Sequence, residues 1–266
     1  MSALYFPQLA NGNVAQYPVT RTWLRAATIN NLPDGSVIVL ASVTAARMSW
    51  TLTYSGLSQA EWNAIEALFE GVQGQFGNFT FVDPADNLLS WSENFTMPVW
   101  TPDPLLQVIS GAPDPNGGTN ATTLTNAAQA SQSIIQQTAG PGWFKYTFSI
   151  YLRSDTPCSV NLIRASGATQ APLTIAVGET WARVQSSGAL ATQSNGFECG
   201  LELDPGVTVF AYGAQLEAQP DAGGFKTKTN VSGVYQNARF NQDILVNTSD
   251  APGQFATSLK ITSTVS

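Results

Sequence analysis

Wherever this sequence shows a period, the period is two. Met48, Trp50, Leu52 and Tyr54 alternate with Ser49, Thr51 and Thr53, and Tyr146, Phe148, Ile150 and Leu152 alternate with Thr147, Ser149, Tyr151 and Arg153. Successive side chains of a strand point to opposite faces, so each run is a strand with one apolar face that has to be covered. Shorter runs in the same style follow: SVNLIR (159–164), TWARVQ (180–185), GLEL (200–203) and VTVFAYGAQLE (207–217). Between them lie turn-rich stretches such as ISGAPDPNGGTNATT (109–123). Short strands spaced by such loops predict a mainly all-β chain built as sandwich, jelly roll or barrel.

One segment breaks the pattern. Ser58 followed by Glu61 is a capping box, Leu57 and Trp62 occupy the positions of a hydrophobic staple, and Trp62, Ile65, Leu68 and Phe69 share one helical face. A short helix is therefore expected here, ended by Gly71. Before it, SVIVLASV (36–43) follows an Asp34-Gly35 turn and reads as a hairpin partner or sheet neighbour of the 48–54 strand. After it, FGNFTFVDP (76–84) reads as an aromatic strand stopped by Asp83-Pro84.

Composition removes several function classes. The 266 residues include no histidine, which excludes Ser-His-Asp and Cys-His catalysis and His-based metal sites within the chain. Charged residues are 11% and the net charge is −7, so no nucleic-acid partner is expected. The opening MSALYFPQLANG lacks a basic stretch before an apolar run, and no apolar run approaches about 20 residues. Neither a signal peptide nor a membrane insertion is expected. Cys158 and Cys199 are then small core residues of a reducing compartment, with a disulfide as the alternative.

The character of the chain changes twice. Ordinary sheet patterning runs to about Asp86, gives way to the loop-rich section, and returns at GVYQNARFNQDILVN (233–247) and FATSLKITSTVS (255–266), where Leu259, Ile261 and Val265 share one parity. So short a C-terminal strand pair cannot bury itself. Residues 1–86 and 230–266 are therefore expected to form one discontinuous β domain, with 87–229 inserted as a second one.

Two stretches resemble known families. The order of WTLTYSGLS, AEWNAIEALFEG and FTFVDP within residues 20–86, resumed at NARF (237–240), resembles the distal tail proteins and lambda-like minor tail protein M group of long-tailed bacteriophages. NLLSWSENFTMPVW (87–100) and VFAYGAQLEAQPDAGGFKTKT (209–229) resemble the opening and close of jelly-roll carbohydrate-binding-like modules of phage tail proteins. The first resemblance implies a ring, a hexamer or else a trimer, joining the tail tube protein to the baseplate hub and other tail-tip proteins in the virion. The second implies an outward lectin-like module that either contacts host surface glycan or only thickens the tip.

Candidate residues follow. Tyr151 has the parity opposite to Tyr146 and Phe148, so with Arg153 and Asn161 it forms the expected exposed polar-aromatic group for sugar contact. Trp91, Trp100 and Trp181 are expected in the core or at the sandwich edge. Arg21, Arg25, Arg47 and Arg239 are candidates for ring-interface ion pairs. Glu198, Glu202 and Asp204 are close in sequence but read as a solvated strand end rather than a glycosidase pair. The chain is thus expected to be no enzyme and to need no cofactor, although loop aspartates such as Asp103, Asp114, Asp155 and Asp221 can hold a structural calcium. A stand-alone glycan-binding adhesin and a carboxylate-dependent depolymerase are the rival readings.

Overall fold

The computed structural model describes residues 4–25, 27–41 and 47–264. They fall into two compact units, the first from the described parts of 1–10, 15–81 and 235–266, the second from 11–14 and 82–234. The chain is mainly β with one helix. In order, β1 (Thr20–Leu24), β2 (Ala27–Asn31), β3 (Val37–Ala41), β4 (Arg47–Ser58), α1 (Gln59–Gly71) and β5 (Phe79–Val82) precede the second unit. The latter holds β6 (Trp100–Pro102), β7 (Leu106–Ala112), β8 (Ala121–Asn126), β9 (Gln132–Pro141), β10 (Tyr146–Arg153), β11 (Cys158–Ser166), β12 (Thr169–Gln170), β13 (Leu173–Val177), β14 (Ala182–Gly188), β15 (Asn195–Leu203) and β16 (Thr208–Glu217). β17 (Val234–Phe240), β18 (Thr248–Ala251) and β19 (Gln254–Thr264) close the chain.

In the first unit one sheet runs β1-β4-β19-β17-β5, with β18 added to β19. The alternation of 48–54 does what its period requires. Met48, Trp50, Leu52 and Tyr54 are all buried, and β19 lies antiparallel beside them with Leu259 opposite Leu52 and Ile261 opposite Trp50. The Trp50 ring sits 4.7 Å from Tyr235 and 4.9 Å from Phe81, centroid to centroid. Residues from three separated stretches thus share one aromatic core, worth roughly 1.5–3 kcal/mol for each large side chain removed from water. Val265 lies outside the described residues.

Helix α1 starts on a complete capping box: Ser58 Oγ accepts from the Glu61 N–H, and Glu61 Oε2 accepts from the Ser58 N–H at 2.9 Å. Leu57 and Trp62 are both buried, and Trp62 stacks on Phe255. The helix ends two residues later than expected, with Gly71 still helical and not at C′. Val72 is the cap, its N–H donating to Leu68 O, and the left-handed turn falls on Gln73 and Gly74.

A second difference concerns 36–43. β3 pairs with β2 as an isolated two-stranded sheet, not with β4. The Asp34-Gly35 turn explains this. Asp34 Oδ1 accepts from the Ser36 N–H and Oγ–H, Gly35 takes φ +83, and Leu32 and Ser36 are joined through their backbones. The turn folds the run back on its upstream neighbour, leaving Ile29, Val37, Ile38, Val39 and Leu40 exposed. Residues 42 and 43 lie outside the described residues.

The second unit is a sandwich of two sheets, β14-β10-β16-β8-β7 and β12-β11-β15-β9-β6, with β13 beside β11. Tyr146, Phe148, Ile150 and Leu152 of the first sheet and Leu162, Phe197, Leu201 and Leu203 of the second are fully or almost fully buried. Tyr146 and Phe197 bridge the sheets at 4.3 Å between ring centroids. The stretch 109–123 is not one loop, because its two ends belong to the antiparallel pair β7 and β8. Cys199 is buried, Cys158 is half-buried, and both are free thiols. Cys199 lies opposite Arg164, six residues along β11 from Cys158, so the two are roughly 20 Å apart at strand rise and far beyond disulfide reach.

The unit boundaries carry contacts that the expected cut between Asp86 and Asn87 would sever. Lys228 Nζ lies 2.6 Å from Asp86 Oδ2, and the Gly233 N–H donates to Asn87 O at 2.9 Å. A fragment spanning 82–234 should accordingly melt at higher temperature than one spanning 87–229; equal melting in circular dichroism contradicts this. Ser58→Ala should lower the stability of the full chain by about 1 kcal/mol. Trp62→Ala should lower it by about 3–5 kcal/mol. Urea unfolding monitored by far-UV circular dichroism measures both.

Candidate functional site

Outward faces of sheets in a sandwich are usually polar, but the outward face of the β10–β16 sheet is aromatic. Tyr151 on β10 is opposite Tyr212 on β16, and Arg153 is opposite Phe210. Tyr151, Trp181, Phe210 and Phe225, all half-buried, pack around Tyr212, Ala121 and Ala112. The rings meet at angles: Tyr151–Tyr212 at 6.0 Å, Tyr151–Phe225 at 6.1 Å and Tyr212–Phe225 at 5.6 Å. Two guanidinium groups lie over this face. Arg153 Cζ is 4.4 Å from the Phe210 centroid and Arg183 Cζ is 5.6 Å from the Tyr151 centroid, within cation–π range.

The GAQLE run (213–217) builds this face. β16 shifts register between the residues opposite Tyr151 and Ser149, and Gly213 there takes φ +65. A Cβ at that glycine would press on the Phe225 ring at 3.0 Å and on Tyr151 at 3.3 Å, so only glycine admits both rings. Beyond the shift, Gln215 and Glu217 point to the same outer side and are buried under the segment 219–228. Glu217 accepts from the Gly223 N–H, from the side-chain amides of Gln215 and Gln219 and from Lys226 Nζ, the last at 2.7 Å. Gln215 accepts from the Lys226 N–H and donates to Gly224 O. At the other end of the unit's sequence, the Asn87 side chain donates to Ala214 O and Lys226 O and accepts from the N–H groups of Leu89 and Leu216. The two family-like ends of the insert are thus one hydrogen-bonded clasp.

Tyr212 ends in a polar corner. Its hydroxyl donates to Glu93 Oε1 at 2.6 Å and accepts from the Asn116 side chain at 3.0 Å. Desolvation, reinforced by the Glu93 charge, raises the Tyr212 pKa, so the phenol stays a donor. Thr227 Oγ1 also donates to Glu93 Oε1. The neighbouring loop hangs on Asp114. Desolvation pushes its carboxyl up, but N–H donors from Asn120, Asn116 and Gly118 outweigh that and hold it below its ordinary value. A carboxylate so engaged is a turn anchor. Among the described residues, no three His, Cys, Asp or Glu side chains gather as a metal site.

The sequence candidates are only partly brought together. Tyr151 and Arg153 share the aromatic face, with Arg153 also paired to Asp155 at 2.9 Å. Asn161 does not join them. It lies on β11 of the opposite sheet, donating to Glu202 and accepting from Thr174 Oγ1, because parity along a strand says nothing about which sheet the strand enters. Glu202 is thereby tied up, and Asp204 accepts from Ser131. Trp100 is buried against Phe95, whereas Trp181 is half-buried on the outward cluster and Trp91 is half-buried as well. In the first unit, Arg21, Arg25 and Arg47 are exposed on or beside β1 and at the start of β4, while Arg239 donates to Phe76 O from β17, three strands from β1 and two from β4. Phe210, Tyr212, Phe225 and Glu93 were not legible as site residues. The large rings of β16 alternate with Val209 and Ala211, a pattern that by size alone would turn the rings inward.

No protein-family model matches the chain, that of the distal tail proteins included, and no curated protein matches it. Solved structures resemble about half of it. The enzymatically active domain of tailspike protein 4 of bacteriophage CBA120 aligns with 52% of this chain at 16% identity and a TM-score of 0.41, over 22% of its own length. A CBM22-1 xylan-binding domain of Paenibacillus barcinonensis Xyn10C aligns with 53% at 15% identity and TM-score 0.43, over 99% of its length. The CBM22-1-GH10 modules of a Clostridium thermocellum xylanase align with 51% at 12% identity and TM-score 0.42, over 28% of their length. Among the described residues, no helix is long and apolar enough to cross a membrane.

The depressed Asp114 pKa makes the 114–120 loop pH-sensitive. The folded carboxyl titrates below its unfolded value of about 3.9, so its contribution is complete above that value and is lost as pH falls through the folded pKa. Amide exchange at Asn116, Gly118 and Asn120 should stay slow at pH 5 and rise sharply below about pH 4. In Asp114→Asn that acid step should be missing.

Proposed function

We propose that the protein is a non-enzymatic structural component of a phage tail tip, in which the first unit assembles into a ring and the second contacts host surface glycan. The observation that carries the glycan reading is the outward aromatic face of Tyr151, Trp181, Phe210 and Phe225 with its two stacked guanidinium groups. Rings present an apolar face to the C–H groups of a pyranose, and arginines beside them supply fixed donors for its hydroxyls. An apolar patch framed by polar groups on an otherwise solvated sheet is the usual mark of an interaction surface.

The assembly reading is supported by the first unit's edge. β1 exposes Trp23 and Leu24 beside Arg21, Arg25 and Arg47, and both strands of the β2–β3 hairpin are exposed. An apolar strand at a sheet edge invites pairing with another chain. Closed cyclic symmetry satisfies two such surfaces per subunit without runaway polymerisation. Six copies is the number that the sequence resemblance implies, and its position would be between tail tube and baseplate hub.

Two measurements test this. Tyr151→Ala should weaken retention on purified host surface polysaccharide by tenfold or more, about 1.4 kcal/mol, without loss of polymer mass. Unchanged retention, or depolymerisation by the pure protein, overturns the glycan part. Native mass spectrometry with and without the tail tube protein should give a six-subunit ring, with three as the fallback. A monomer in both samples, together with tails that show no ring of this chain, overturns the assembly part and favours a stand-alone adhesin.

A further inference from the structure

Beside the Tyr212–Glu93 hydrogen bond lies a cavity of about 350 Å³ inside the second unit, lined among others by Trp91, Glu93, Thr119, Asn120, Thr227 and Lys228. Its size is near the lower end of the roughly 300–1,000 Å³ typical of small-molecule sites, enough for one or two sugar rings. Three features converge on it. Trp91 is held at φ +48, a left-handed conformation that a bulky L-residue adopts only when its surroundings enforce it. The Trp91 N–H donating to Thr229 O at 2.6 Å, and Trp91 O accepting from the Asn94 N–H and from Trp100 Nε1, are what enforce it. Trp91 so held lines the cavity, and its indole Nε1–H has no hydrogen-bond partner among the described residues.

Glu93 supplies the second feature. Both of its hydrogen bonds, from Tyr212 and Thr227, go to Oε1, which leaves Oε2 without a partner among the described residues. The third is Asn120, whose backbone N–H is anchored on Asp114 while its side-chain amide is unengaged among the described residues. A stacking ring, a free carboxylate oxygen and a free amide are the groups that recognise adjacent hydroxyls on a ring with an apolar face. The one cation on the wall, Lys228, is neutralised by Asp86 at 2.6 Å, so the cavity is net acidic.

We propose that this cavity is a saccharide pocket, distinct from the aromatic face, that takes a neutral pyranose unit. Trp91 stacks on the ring, Glu93 Oε2 accepts from one or two hydroxyls, and the Asn120 amide both donates and accepts. Uronic and sialic acids are rejected by the unpaired charge of Glu93. The inference rests on reading the second unit as the glycan-contacting part.

Two variants of the full chain isolate the pocket. In Trp91→Gly the backbone keeps its left-handed turn without strain while the indole is lost. In Glu93→Gln the side-chain oxygen can still accept from Tyr212, but the charge is gone. Saturation-transfer NMR with a panel of free neutral hexoses and hexosamides, alongside glucuronate and sialate, reads binding, and thermal melting reads folding. Wild type should bind at least one neutral sugar and neither acid. Both variants should bind it at least tenfold more weakly while melting within a few degrees of wild type. Absence of neutral-sugar binding by wild type, preference for an acidic sugar, or undiminished binding by both variants overturns the proposal. Polymer retained by wild type and both variants alike, with no free-sugar signal, overturns the pocket and leaves the aromatic face standing. Pocket-dependent binding of a free sugar by a protein that no host polysaccharide retains does the reverse.

Discussion

The second unit depends on one buried amide. The Asn87 side chain is fully enclosed and uses both donors and its acceptor oxygen, tying the first residues of the insert to Ala214, Leu216 and Lys226 near its end. Such a network is worth most when every member is satisfied, and a half-satisfied one is worse than an apolar core. Gln215, Glu217 and Lys226 complete it, so the segment 219–228 is pinned across the outer side of β10 and β16. That segment carries Phe225 into the aromatic face and Thr227 to Glu93. The aromatic face and the cavity beside Tyr212 both depend on the same clasp.

This arrangement places charge where it does directional work. Arg164 is buried between the sheets, donating to Ser186 and Gly188 O, and desolvation lowers its pKa. Arg153 and Arg183 instead lie over rings. In a chain with 11% charged residues, few side chains remain for long-range steering, so contacts of the kind proposed for the aromatic face would rest on shape and stacking. Ionic strength should matter little to such contacts, since the Debye length screens separated surface charges rather than ring–ring packing.

Much of the fold was legible because period two is a strong signal. The 48–54 and 146–152 runs bury the residues that alternation assigns, and the capping box at Ser58 forms as spelled. Three things were not legible. The 36–43 run went to β2 because turn geometry at Asp34-Gly35 overrode apolar affinity for β4. Asn161 kept its outward parity but entered the other sheet. Trp181, expected inside, shares the parity of Arg183 and follows it outward. Tyr151 and Arg153 were legible from parity alone, whereas Trp91 and Glu93 depend on a backbone conformation and a cross-chain phenol that no local pattern announces.

Residues that open and close the second unit along most of its length are directly joined: the Asp83 N–H donates to Gly233 O, and the Gly233 N–H to Asn87 O. The strands leading in and out, β5 and β17, are neighbours in one sheet. Some 150 residues therefore leave and re-enter the chain almost at a point. For a gene, this means that a single crossover at each side can replace the whole stretch with a short turn or a different module. The sheet that carries it would keep its strand order. A lineage could then exchange the second unit in one step, with the first inherited unaltered.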